Sequence, residues 1–161
     1  MSSQRSRGTV LSASLVLALI SGTVPAATDE AVIEYRQKIL AATGGHFGAV
    51  QGILKHKLPH GTERIAEHAR LLQGSIAMIA SAFKQETPDI KTDAKPTIWK
   101  EWDTFETKIS KLQAEAEKLE KIAATGTPQE INFQFLKVAL SCKSCHDDYR
   151  KPKEQSWKNA K

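Results

Sequence analysis

The residues best equipped for chemistry lie in one run, "ALSCKSCHDDYRKP", which begins at Ala139. It holds both cysteines of the 161-residue chain, Cys142 and Cys145, with His146 directly after them. A C-x-x-C pair serves as a redox disulfide, as half of a zinc site, or as an anchor for a cofactor.

Each use makes demands the rest of the chain can be checked against. Zinc wants four ligands, commonly two such pairs. There is no second cysteine pair, and His46, His56, His60 and His68 all lie upstream. Of these, His56 and His60 have ligand spacing, but they straddle a turn with a proline, far from the cysteines. A thioredoxin-like pair follows a strand and opens a helix, whereas this motif falls near the end of a helix. A structural disulfide suits an exported protein, but two cysteines so close in sequence would close a small, strained ring, and the histidine would go unexplained. C-x-x-C-H is also the attachment signature of c-type haem. On a helix, residues three apart share a face, so Cys142 and Cys145 can form thioethers to two vinyl groups while His146 reaches the iron from the same side. Haem c, one per chain, is the expected cofactor, with His146 the expected metal ligand.

The N-terminus suits that chemistry. Arg5 and Arg7 precede an apolar run from Val10 to Ile20, and "SGTVPAATDE" supplies small residues for cleavage. Cutting after Ala26 leaves Val24 and Ala26 at the −3 and −1 positions, so residues 1–26 read as a secretory signal. The run is shorter than the roughly 20 residues that span a bilayer, so no membrane association is expected after cleavage. Losing two arginines and no acids lowers the net charge from +5 to +3. That balance, with basic and acidic residues interspersed, gives no case for nucleic-acid binding.

Stepping outward, four helices must position the motif, because apolar residues recur at helical spacing and no strand alternation is sustained. The first begins at Asp29 as N-cap and carries Val32, Tyr35, Ile39, Leu40, Phe47, Val50, Ile53 and Leu54, with Gly44 and Gly45 inside it. The second runs from a capping Thr62 to Phe83, and the third from a capping Thr97 to Gly126 along a heptad-like seam from Trp99 to Ile122. The fourth opens on Thr127, Pro128 and Glu130 in a capping-box pattern and runs through the cysteines to Arg150. The fold class is therefore all-α, an antiparallel four-helix bundle with covalently bound haem over residues 27–151. Residues 152–161 read as a solvated tail.

A second axial ligand would separate an electron carrier from a gas-binding haem. Met78, His46 and His68 are the candidates within helices, and nothing in their spacing selects one. Met78 reads best as core filler.

The mature sequence resembles the cytochromes c′, the class II c-type cytochromes. The likeness rests on "AVIEYRQKIL…GHFGAV", "SAF", "DAKPTIW" and "SCKSCHDDYRK", and on a haem motif near the C-terminus. The resemblance implies a periplasmic bundle, a homodimer packed through the first two helices, and a five-coordinate haem. It makes Leu40 the apolar side chain that blocks the distal face. A low-spin subgroup has methionine in the first helix, and no methionine lies in that helix here. By the same resemblance Arg36 and Gln37 bind the haem propionates, with Arg36 on the face of Leu40. Asp93 or Thr92 lies at the haem edge, Phe83 lines the pocket, and Arg150 stands beside the proximal face. The alternative for Arg150 is a basic residue that complements the helix dipole. Ala80 stands where some relatives have an aromatic residue.

The expected function is the binding of NO and CO, in nitric-oxide buffering or detoxification. The alternative is an electron carrier with a periplasmic redox partner. No distal acid–base pair of a peroxidase type is apparent, so no enzymatic activity is expected.

Overall fold

The computed structural model describes residues 27–58 and 61–159. The signal segment 1–26 lies outside them. Among the described residues there are six α-helical segments: α1 Asp29–Leu54, α2 Thr62–Ile76, α3 Ile79–Phe83, α4 Thr97–Lys100, α5 Trp102–Thr125 and α6 Pro128–Tyr149. The one β feature among these residues is an isolated antiparallel bridge between Ala94 and Arg150.

These are the four expected helices, two of them interrupted. The second breaks at Ala77 and Met78, so that α3 is a separate turn. Met78 is 47% exposed there and does not fill the core. The third is interrupted at Glu101, whose ψ of 38° is not helical. Caps also differ from expectation. Thr28, not Asp29, caps α1, accepting from the Ala31 amide at 3.3 Å. Thr62 and Thr97 are first helical residues without a capping role. The α6 box forms as expected: Thr127 Oγ1 accepts from the Glu130 amide, and Glu130 Oε2 accepts from the Thr127 amide. Just before it, Gly126 lies so close to the chain that an added Cβ would sit 2.7 Å from the Ile122 carbonyl oxygen.

The bundle's main pairings are α1 with α2, α2 with α5, and α5 with α6. The α5 seam is buried through Phe105, Ile109, Leu112, Ala116, Leu119 and Ala123. It meets Ile65, Ala69, Leu72 and Ile76 of α2, and Ile131, Phe135 and Val138 of α6, in one core. Removing such a side chain from water contributes about 1.5–3 kcal/mol. The first and last long helices, α1 and α6, are not a main pair. Phe47 of α1 stacks on Phe135 of α6 with centroids 4.7 Å apart, and beyond that contact the space between the two helices is open.

Candidate functional site

That space is a cavity of about 680 Å³, within the range of small-molecule and cofactor sites. Leu40, Gly44 and Phe47 of α1 line it, with Phe83, Ile98, Phe105 and Leu112 from the core and Cys142, Cys145 and His146 from α6. The walls are mainly apolar. A second depression, about 540 Å³, lies between the start of α1 and α3 and contains no cysteine, histidine or carboxylate.

The α6 helix sets the motif's geometry. Its box fixes the start and Ser141, Val138 and Tyr149 anchor its buried face, so the turn carrying Cys142 and Cys145 presents both thiols to the cavity. Both are free thiols and half-buried. Burial pushes the Cys142 thiol above its ordinary range and Cys145 up to about 11. Both sulfurs are therefore held as protonated thiols rather than thiolates. His146 follows on the same wall, and no side-chain hydrogen bond or ion pair to it is found among the described residues. His146 is exposed to solvent, and desolvation from the helix neighbours and then the Arg150 guanidinium lower its pKa from the ordinary histidine value. A neutral imidazole with an unengaged nitrogen is the form that ligates iron. Lys108 braces this turn from α5, bonding Asp148 Oδ2 and Ser144 Oγ at 2.7 Å each.

The remaining expected residues also line the cavity, yet most are already engaged. Arg36 is 2% exposed. Its Nε donates to the Ala82 carbonyl at 2.7 Å, Nη1 to Thr87 Oγ1 at 2.7 Å, and Nη2 to the Gln85 carbonyl. Its guanidinium carbon lies 5.0 Å from the Phe83 ring centroid and 5.2 Å from that of Trp99. Three of its five donors therefore hold the 82–87 turn. Gln37 Nε2 donates to the Lys91 carbonyl at 2.8 Å, and Thr92 Oγ1 accepts from the Ala94 amide. Asp93 pairs with Arg150 at 3.6 Å, and Arg150 is otherwise open to solvent. Leu40 is 38% exposed and faces the cavity from α1.

Three candidates for a second axial ligand lie elsewhere. Met78 does not line the cavity. His46 and His68 bond to each other, Nδ1 to Nδ1 at 3.2 Å, between α1 and α2. His146 is the only histidine or methionine among the residues lining the cavity.

Sequence reasoning missed the part played by the tail. Residues 152–159 are not simply solvated: they form 3₁₀ turns at Lys153–Gln155 and Trp157–Asn159. Trp157 and Lys158 reach the cavity wall. The available signal was a lone tryptophan in an otherwise polar tail. Gly44 lines the cavity too, where an added Cβ would meet nothing within 4 Å, so no neighbouring chain segment requires a glycine there.

Fold and site together define a helical bundle with a C-x-x-C-H motif opening onto an apolar, cofactor-sized slot. The model of the Cytochrome C′ family matches residues 31–150, and the chain belongs to that family, whose members are c-type haem proteins. It is 34% identical to cytochrome c′ of Rhodospirillum rubrum over 137 residues, covering 83% of this chain and 91% of the relative. It is 32% identical to cytochrome c′ of Pararhodospirillum photometricum over 125 residues, covering 77% and 99%. Among solved structures, a ferrous variant of cytochrome c prime from Alcaligenes xylosoxidans with bound NO matches with a TM-score of 0.71 and 31% identity, covering 80% of this chain and all of that one.

Proposed function

We propose that this chain is an exported, periplasmic haem protein that binds small diatomic gases, chiefly NO and CO, at a five-coordinate iron, in nitric-oxide buffering or detoxification. The observation that carries this reading is the cavity's composition: His146 stands at one wall, Leu40 on another, and among the described residues no second histidine or methionine lines it.

The residues present fit the group. Cys142 and Cys145 would hold it through thioethers, each thiol S–H adding across a vinyl C=C, which needs no oxidant. His146 would supply a nitrogen ligand to its iron. The haem, when bound, supplies an iron with one position free for a small ligand.

The chain's own residues set what enters. Leu40 offers no hydrogen-bond donor, so nothing there favours a polar bound O₂, while its bulk crowds larger ligands. Arg150 lies one turn beyond His146 and brings positive charge to that wall. Arg36 and Gln37 stand at the α1 wall for the propionates, and two guanidinium N–H groups of Arg36 are uncommitted by count. The chain's described helices include none long and apolar enough to cross a membrane. Self-association through α1 and α2 has support in their exposed Tyr35 and Leu71, and sedimentation equilibrium tests it.

The experiment is ligand titration of the purified holoprotein. Tight binding of NO and CO supports the reading. A haem indifferent to both overturns it in favour of electron transfer.

A further inference from the structure

The family match ends at Arg150, but the ordered chain continues. Beyond Pro152 it doubles back toward the loop before α4. One carboxylate receives it: the Trp157 amide donates to Asp93 Oδ1 at 3.0 Å, and Ser156 Oγ donates to Asp93 Oδ2 at 3.0 Å. Backbone bonds tie the same two segments together, Lys151 N to the Asp93 carbonyl at 2.8 Å and Lys95 N to the Tyr149 carbonyl at 2.9 Å. Asn159 Nδ2 closes the turn onto the Lys153 carbonyl at 2.7 Å. The result is that Trp157 is half-buried and lines the cavity together with His146 and Arg150.

From this geometry we propose that residues 152–159 form a strap, latched by Asp93, that closes the haem cavity with Trp157 and restricts the passage of small ligands. Asp93 is 15% exposed and faces one cation, Arg150, at 3.6 Å. Charge-assisted bonds of this kind are about twice as strong as neutral ones, so the latch is strong enough to hold a short segment yet local enough to open alone. Trp157 supplies bulk and an apolar face, and the Lys158 ammonium lies 5.8 Å from the Trp157 ring centroid. The inference rests on the haem reading above.

The test uses the holoprotein, the Asp93→Ala and Trp157→Ala variants, and a chain ended after Lys151. Amide hydrogen exchange reads the latch without reference to ligand binding. The Trp157 amide is expected to be protected in the wild type, and Asp93→Ala is expected to speed its exchange by about tenfold or more. Stopped-flow CO binding reads the closure, and both Trp157→Ala and the truncation are expected to speed association by about fivefold or more. Trp157→Ala keeps the Asp93 latch and guards against a misfolded Asp93 variant. A haem-loaded protein with an unprotected Trp157 amide overturns the strap. So does a protected amide with CO rates that neither variant moves by more than about twofold. A purified chain without haem absorption overturns the haem reading and this inference with it.

Discussion

Arg36 lies against Phe83, its guanidinium carbon 5.0 Å from the ring centroid, with Trp99 at 5.2 Å from the same carbon. Three donors from that guanidinium bind two carbonyls and a hydroxyl in the 82–87 turn. Phe83 is thereby held at the cavity wall by a residue of α1. Arg36→Met keeps much of the volume but leaves Ala82 O, Gln85 O and Thr87 Oγ1 without their donor. Ala82 and Thr87 are buried, and unmade bonds of buried groups cost about 1–3 kcal/mol each, so a loss of about 2 kcal/mol or more is expected, checked by urea unfolding of the holoprotein.

The proposed function requires covalent attachment through both thiols. Cys142→Ala with Cys145→Ala is expected to leave haem that acidified organic solvent extracts, whereas the wild type retains it. Retention by the double variant would remove the thioether account.

On the proposed reading, Leu40 crowds the ligand side of the iron. Relieving steric crowding of one side chain is worth about 1–3 kcal/mol, which corresponds to about fivefold or more in affinity. Leu40→Ala is therefore expected to tighten CO binding by at least that factor in a spectrophotometric titration. Unchanged affinity would exclude Leu40 as the gate.

Tyr149 sets a stability limit at alkaline pH. It is buried, and its hydroxyl donates to Glu101 Oε2 at 3.1 Å. Burial first, then Glu101, raises its pKa from 10.0 to about 12. Between those values the folded chain keeps a proton that the unfolded chain loses. Stability therefore falls as pH rises from about 10 to about 12, and is unaffected by this group below 10. Tyr149→Phe is expected to flatten that part of the denaturation profile relative to wild type.

The sequence was most legible where a local pattern decides the structure. Thr127, Pro128 and Glu130 predict the α6 box because each partner lies within one turn. The Trp99–Ile122 seam predicts α5 because its spacing matches a buried helix face. Cys142, Cys145 and His146 share a cavity wall because a helix puts them there. Legibility failed where distant segments decide. The interruption at Glu101 goes with the Tyr149 hydroxyl, 48 residues away. Arg36 looks like a ligand-facing cation in sequence, but three of its donors are committed to a turn some fifty residues on. The tail looks solvated because its partner, Asp93, is 63 and 64 residues from Ser156 and Trp157. Short-range periodicity carries no information about such pairings.

The central claim is that His146 is the iron's sole protein ligand. The absorption spectrum of the dithionite-reduced holoprotein tests it directly, before and after CO. The account predicts a high-spin ferrous spectrum whose Soret band shifts on adding CO. A sharp low-spin spectrum that CO leaves unchanged would contradict it, and would mean that a second residue reaches the iron.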